Sequence, residues 1–226
     1  MNTKLSSSIA SVSAILAILT ILSKGFGLLR EMIYAKNFGL SLQFDLFLVG
    51  SIIPVTINSA LLYLGQHYFV PEFNIKKSIS DSDGEFFFNS SFFLFLIGSA
   101  LITLILYIFS PIIIGFFITK SDISNFKIAQ NIFVLFLITI PFNAGISIIS
   151  AYLQCKFNFI YPALVQIFMN IIIIILVFTS TDLYQIYILP LSFIVSYLLG
   201  FILLWFRVNK KLRFRIFDSH YLSLST

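Results

Sequence analysis

The sequence predicts an all-α protein that crosses a membrane several times, and three features of the chain support this fold class. Hydrophobic types make up 59% of its 226 residues, only 10% are charged, and the mean hydropathy is +1.02. Soluble domains carry about 25% charged residues, so this chain has too few to cover a surface in water. Its apolar residues also fall in long runs, without the strict alternation of a membrane β-barrel. A water-soluble enzyme is therefore excluded.

Six apolar stretches are long enough to cross the hydrocarbon core, which takes about 20 residues of helix. They are Ile9–Phe38, Leu46–Phe69, Phe86–Ile118, Ile128–Leu153, Phe159–Phe178 and Ile186–Phe206. The connectors are short and polar, and only Glu72–Glu85 has the length for an amphipathic turn on the membrane surface. The prediction is one six-helix transmembrane lobe over residues 1–206, followed by a basic cytoplasmic tail over residues 207–226.

The distribution of basic residues predicts that both termini are cytoplasmic. With the N-terminus inside, nine Lys and Arg residues fall on the inner side, and only Lys36, Lys120 and Lys127 fall on the outer side. Cytoplasmic segments carry the excess of positive charge in membrane proteins, which favours this orientation. The net charge of +5 therefore indicates membrane anchoring. Nucleic-acid binding would instead need basic clusters on a solvated face with stacking aromatic residues.

The first helix carries ionisable residues where a membrane helix seldom has them. Lys24, Arg30 and Glu31 lie in its second half. A charge in mid-membrane costs about 2.5–3.5 kcal/mol, so such side chains usually face a cavity or a partner. At about 100° per residue, the three fall on one stripe of the helix, within an arc of about 120°. The same stripe contains Ser23, Gly27 and Tyr34.

The second helix has a weaker polar stripe, which begins at Asp45. On the same side of this helix fall Thr56, Ser59 and Gln66. Three interpretations of the two stripes are open. The charges could neutralise one another, Lys24 with Glu31 or Arg30 with Asp45. They could line a wet cavity where Lys24 and Arg30 receive an anionic headgroup, since a guanidinium matches phosphate geometry. Glu31 and Asp45 could also form a proton or sodium site.

The remaining polar residues predict no cofactor or metal. The single cysteine, Cys155, has no intrachain partner for a disulfide, and the sequence contains no Cys/His cluster with metal-ligand spacing. Four amides in the later helices are expected to form hydrogen bonds between helices, each contributing about 0.6 kcal/mol. These amides are Asn143, Gln154, Gln166 and Asn170.

Several of these residues belong to a dispersed pattern that resembles the start of the MviN/MurJ lipid II flippases. That start reads roughly S-R-x-x-G-x-x-R-(D/E), then a glycine-ended helix, T-D-x-F, and a later F-V-P. The corresponding segments here are Ser23–Glu31, Ala35–Gly39, Phe44-Asp45 and Phe69–Pro71. A later stretch resembles the segment that joins the family's fourth and fifth helices, with Ile149–Tyr152, Pro162-Ala163 and Asn170.

The resemblance implies one lobe of the multidrug/oligosaccharidyl-lipid/polysaccharide exporter fold, in which two lobes enclose a cavity open to alternate sides. It implies a transporter and not an enzyme, in the bacterial cytoplasmic membrane. The implied cargo is lipid II, the undecaprenyl-pyrophosphate-linked peptidoglycan precursor. The family's two cavity arginines map onto Lys24 and Arg30, and its aspartate maps onto Asp45. With Glu31 these are the predicted substrate-binding residues; coupling to Na⁺, H⁺ or the membrane potential stays open.

Two departures from the family pattern keep alternatives open. Lipid II flippases carry a further arginine pair on the second helix, whereas Pro54–Asn58 has no basic residue. An O-antigen or capsular-polysaccharide flippase is therefore an alternative, as is a cation-coupled drug antiporter that uses Glu31 and Asp45. The family has about fourteen helices and this chain six, so a truncated chain is expected. Transport would then need the missing C-terminal half or a homodimer partner. A membrane scaffold without cargo is the alternative from another class.

Overall fold

Helices account for nearly all of the residues that the computed structural model describes. The model describes residues 3–118 and 122–208, with the exception of the side chains of residues 3–13 and 182. The helices are α1 (Thr3–Phe38), α2 (Leu42–Leu64), α3 (Val70–Ile79), α4 (Asp81–Gly115), α5 (Ile123–Leu137), α6 (Thr139–Cys155), α7 (Ile160–Tyr184) and α8 (Ile188–Val208). The all-α prediction is confirmed. The predicted tail lies outside the described residues from residue 209 onward.

Within the described residues, five continuous helical segments are long and apolar enough to cross a membrane. They are Leu42–Ile79, Asp81–Gly115, Ile123–Cys155, Ile160–Thr181 and Gln185–Val208. The sequence predicted six such spans, and the sixth corresponds to α1. This helix has 36 residues but is not among the five. The side chains of its residues 3–13 lie outside the described part of the chain, and its second half holds four charged residues. The protein is a multi-pass membrane protein.

The structure corrects the prediction that Glu72–Glu85 is a connector, because most of this segment is helical. A π-helical turn, Gly65–Phe69, continues α2 directly into α3. Pro71 lies in the first turn of α3, directly after this π-helical turn. Ser80 then ends α3 and caps α4, since its Oγ accepts a hydrogen bond of 3.0 Å from the backbone N–H of Asp83.

The predicted span Ile128–Leu153 lies within the continuous segment Ile123–Cys155, but this segment has a break at Ile138 that was not predicted. α5 ends at Leu137 and α6 begins at Thr139. Pro141 cannot donate to the carbonyl of Leu137, four residues earlier. That carbonyl instead accepts a hydrogen bond of 3.4 Å from Thr103 Oγ1 of α4. A side chain from a neighbouring helix thus satisfies the backbone group that the proline leaves free.

Buried polar contacts fix α2 against α6. Asn58 Nδ2 donates to Thr139 Oγ1 at 2.8 Å, and Asn143 Nδ2 donates to the backbone oxygen of Asn58 at 2.7 Å. One turn further along, Ser147 Oγ donates to the backbone oxygen of Leu61 at 2.7 Å. These contacts set the position of the α2 end, including the π-helical turn that follows it.

A second polar cluster fastens the start of α4 to the end of α6. The hydroxyl of Tyr152 donates to the Glu85 carboxylate, 2.8 and 2.9 Å from its two oxygens. Lys156 Nζ lies 2.9 Å from Glu85 Oε1 and 5.5 Å from the centre of the Phe73 ring. The Tyr152 ring also stacks on Phe88 with centroids 3.9 Å apart. The hairpin of α3 and α4 is thereby held against the bundle.

The first helix lies at the edge of the bundle. α1 packs mainly against α7, which packs against α8, and α8 in turn packs against α6. Large apolar side chains of α1 are exposed, including Ile18, Ile21 and Leu28. At Gly25 and Gly27, an added Cβ would meet no heavy atom within 4 Å among the described residues. α1 therefore presents open surface beyond its contact with α7.

Candidate functional site

A cavity of about 430 Å³, with both polar and apolar lining, lies between α1, α6, α7, α8 and the end of α2. Its polar lining consists of Thr20, Arg30, Gln66, Asn143, Ser150, Gln154, Gln166 and Asn170. Three aromatic residues, Phe159, Phe193 and Tyr197, complete part of the wall. Among the described residues that line this cavity, Arg30 is the only charged one. The cavity thus combines one cation with several amides and rings.

Arg30 reaches the cavity from α1 and is held by contacts on three sides. Its Nη2 lies 2.7 Å from Glu31 Oε1, and its Nε donates to the same oxygen at 3.2 Å. On the other side, Nη1 donates to Asn170 Oδ1 of α7 at 3.3 Å. The guanidinium carbon lies 5.3 Å from the centre of the Phe193 ring and 5.8 Å from that of Tyr34. These contacts orient the guanidinium beside the void.

The guanidinium retains donors for a ligand. Arginine has five N–H donors, and the three hydrogen bonds to Glu31 and Asn170 occupy three of them. One N–H remains on Nη1 and one on Nη2. The Arg30 side chain is 22% exposed and lines the cavity. Two N–H groups on one guanidinium match the two-point geometry of phosphate oxygens.

The amides around Arg30 divide into two groups. Asn143 and Asn170 make hydrogen bonds between helices, as the sequence predicted for such residues. Gln66, Gln154 and Gln166 also line the cavity, and their side chains form no hydrogen bond with other described residues. Amides both donate and accept, so these three can bind hydroxyl or amide groups of a ligand.

The other three predicted substrate-binding residues lie outside the lining of this cavity. Lys24 is exposed on α1 and does not pair with Glu31 in the described structure. Glu31 has 56% of its side chain exposed and pairs instead with its neighbour Arg30. Asp45 is exposed in the first turn of α2, where its negative charge interacts favourably with the positive end of the helix dipole. Their role in binding stays a prediction.

The other residues of the two polar stripes, which were predicted with less support to line a cavity, lie in several environments. Gln66 lines the cavity from the π-helical turn. Tyr34 is buried, its hydroxyl lacks a hydrogen-bond partner among the described residues, and its ring faces Arg30. The exposed Thr56 and Ser59 donate to backbone oxygens one turn earlier in α2. Ser23 and Gly27 are half-buried on α1.

Sequence reasoning missed most of the α6 and α7 wall. Ser150, Gln154 and Gln166 line the cavity, yet two of them were expected only as contacts between helices. A periodic signal was available, because Gln166 and Asn170 are four residues apart and share a face of α7. The sequence could not show that this face lies opposite Arg30, since that depends on how α1 packs on α7.

Apolar helices around a cavity, with one cation among its described lining residues, define a multi-pass membrane protein with a cavity between its helices. The family described as "Lipid II flippase MurJ" matches residues 34–182, which is more than half of the chain. The chain belongs to the MurJ family. The matched range includes Asp45 and Gln66 and begins after Arg30.

A solved structure described as "Lipid II flippase MurJ, inward closed conformation" has the same fold. The TM-score is 0.72 at 22% sequence identity, and the match covers 93% of this chain. It covers 45% of that MurJ chain, so the present chain spans less than half of its length. No curated protein sequence matches the chain.

Proposed function

We propose that the chain is one lobe of a flippase that moves lipid II across the bacterial cytoplasmic membrane. Membership of the MurJ family and the match to a MurJ structure support this proposal. The proposed cargo is a polyprenyl-pyrophosphate-linked glycan, and the protein is a transporter and not an enzyme. Both termini are proposed to be cytoplasmic, from the excess of Lys and Arg on that side.

The observation that carries the proposal is the pair of spare Arg30 donors in a polar cavity. A pyrophosphate carries several acceptor oxygens close together, and a guanidinium binds two of them at once. Asn170 and Phe193 hold the guanidinium before any ligand arrives, which reduces the entropy lost on binding. Low local polarity from the aromatic wall strengthens the charge–charge contact.

The neutral amides are proposed to bind the sugar part of the cargo. Gln66, Gln154 and Gln166 line the cavity from three different segments. Sugars offer hydroxyl and N-acetyl groups, which need donors and acceptors and no net charge. A cavity of about 430 Å³ is within the range of about 300–1,000 Å³ typical of small-molecule sites. It therefore holds part of a disaccharide headgroup.

A second lobe is proposed to complete the site. Alternating access needs two walls that move against each other around the cargo. The open surface of α1 around Gly27, with the exposed Lys24 and Glu31, is the side that we assign to this second wall. Lys24 would then join the anion site when the two lobes close. The second wall would come from a further segment of the same polypeptide or from a second copy.

A different lipid-linked glycan is the second candidate for the cargo. Arg30 is the only charged residue among the described lining, and Pro54–Asn58 has no basic residue. This low charge favours a neutral-glycan cargo of the O-antigen or capsular type more than a drug cation. The ion pair of Glu31 with Arg30 also reduces the capacity of Glu31 to bind a coupling cation.

Binding of lipid II to the purified chain tests the proposal. Arg30→Gln removes the charge and keeps a polar side chain, and we expect it to weaken binding about tenfold or more. Arg207→Gln is the matched control, because Arg207 is stacked on Tyr161 and lies outside the cavity lining. Equal affinity of the wild-type and Arg30→Gln chains for lipid II would contradict the proposal. A lipid-linked O-antigen unit titrated in parallel separates the two candidate cargoes.

A further inference from the structure

A second concave site lies on the opposite side of α5 from its contact with α2. It has a volume of about 560 Å³ and is formed by α4, α5 and the turn between α7 and α8. The residues with polar groups are Tyr107, Lys127, Gln130, Asn131 and Tyr187. We call this site the α4–α5 niche. It shares no lining residue with the cavity around Arg30.

The polar groups of the α4–α5 niche lie on one face of α5. Lys127, Gln130 and Asn131 are three and four residues apart, so they project to the same side of the helix. Gln130 Nε2 donates to Ser110 Oγ of α4 at 3.2 Å, which ties this face to α4. Lys127 and Asn131 are exposed, and Lys127 has no ion pair with any described side chain.

The residues of the α4–α5 niche lie close to the ends of their helices. Tyr107 lies eight residues before the end of α4, about 12 Å along the helix. Lys127 and Asn131 lie about 6 and 12 Å from the start of α5. Beside Tyr107, the aliphatic side chains of Leu104 and Ile108 are more than half exposed. A polar concavity is thus adjacent to an apolar surface of the bundle.

We propose that the α4–α5 niche binds the phosphate headgroup of an anionic membrane phospholipid. Lys127 supplies the positive charge, the amides of Gln130 and Asn131 and the tyrosine hydroxyls supply donors, and the phosphate supplies the acceptors. An acyl chain then lies along Leu104 and Ile108. Interfacial Lys and Tyr residues are common in membrane proteins. The two amides in the same concavity are what distinguish a headgroup site from such general anchoring.

Native mass spectrometry of the full chain in detergent, titrated with phosphatidylglycerol or phosphatidylcholine, tests the proposal. We expect tighter binding of phosphatidylglycerol, and we expect Lys127→Gln to weaken that binding about tenfold. Asn131→Leu should weaken it severalfold as well. Lys36→Gln is the matched control, because Lys36 is also exposed at this end of the bundle but outside the niche. It should change the affinity less than about twofold.

Three results would overturn the proposal. The first is an equal loss of phosphatidylglycerol binding in Lys36→Gln and Lys127→Gln, which would show general charge anchoring. The second is unchanged binding in both Lys127→Gln and Asn131→Leu. The third is displacement of the lipid by an equal concentration of inorganic phosphate, which would make a soluble anion the ligand. An unchanged thermal unfolding midpoint of each variant in detergent confirms that any loss is local.

Discussion

At the scale of the residue, the position of Arg30 depends on a neighbour in the sequence. Adjacent residues on a helix project about 100° apart, so the neutralisation that the sequence left open paired Glu31 with Lys24 and Arg30 with Asp45. In the structure, the Glu31 carboxylate bends back to Arg30 Nη2 at 2.7 Å. Glu31 is more exposed than Arg30, and only Arg30 of the two lines the cavity.

Glu31→Gln is expected to strengthen the binding of lipid II by the purified chain about threefold. The carboxylate competes with a phosphate for the same cation, and the exposure of Glu31 keeps this effect small. Equilibrium binding of lipid II measures this effect. Glu72→Gln is the control, because Glu72 lies outside the cavity lining and pairs with Lys76, with 3.7 Å between Lys76 Nζ and Glu72 Oε1. Weaker binding by Glu31→Gln would show that Glu31 helps to bind the ligand and does not compete with it.

At the scale of the element, α2 depends on a close approach to α5. A Cβ at Gly50 would lie 2.7 Å from the backbone oxygen of Ala129 and 2.9 Å from Ile132 Cγ2. Real side chains do not approach that closely, so an alanine there must push the two helices apart. This contact sets how far α2 stands from α5, and through the buried bonds of Asn58 and Asn143 it also affects α6.

Gly50→Ala is expected to lower the free energy of unfolding by about 1–3 kcal/mol, through overpacking between α2 and α5. Gly98→Ala is the matched control, because an added Cβ in that part of α4 meets no described atom within 4 Å. At Gly98, the higher helix propensity of alanine should leave the free energy of unfolding unchanged or raise it by about 0.5–1 kcal/mol. Thermal unfolding in detergent measures both variants. Equal shifts of the thermal unfolding midpoint in the two variants would contradict the close packing of α2 on α5.

The helices themselves were largely predictable from the sequence. The end of α1 at Phe38 follows from Gly39, which adopts a positive φ of 53°, and long apolar runs located the other spans. The break at Ile138 was missed, because the sequence does not show that Thr103 of a distant helix satisfies the carbonyl of Leu137. α3 was also missed, since Glu72–Glu85 has the polar composition of a connector.

At the scale of the whole molecule, the cavity arises from how α1 packs on α7. The polar stripe of α1 was predictable, yet it divides in the structure: Arg30 turns toward α7 and α8, while Lys24 stays exposed. Angular arithmetic on one helix cannot decide which edge of a stripe faces a neighbour. The amides of α7 complete the cavity for the same reason, because their partner surface is distant in the sequence.

The proposed orientation, with both termini cytoplasmic, predicts which turns are reached from outside the cell. In a Cys155→Ser background, Leu40→Cys in the α1–α2 link should react with a membrane-impermeant maleimide in intact cells. Phe157→Cys in the α6–α7 turn should react only after permeabilisation. Both positions are exposed, so access alone decides the outcome. The reverse labelling pattern would contradict cytoplasmic termini.

Crosslinking with a photoreactive lipid II tests most directly whether the cavity around Arg30 receives the headgroup. A diazirine on the sugar is activated with the purified chain in detergent, and the attachment points are mapped by peptide mass spectrometry. We predict attachment to α1 near Arg30 and to α7 between Phe159 and Ile173, with loss of both in Arg30→Gln. Attachment spread over the exposed face of α4, equally in wild type and Arg30→Gln, would contradict this account.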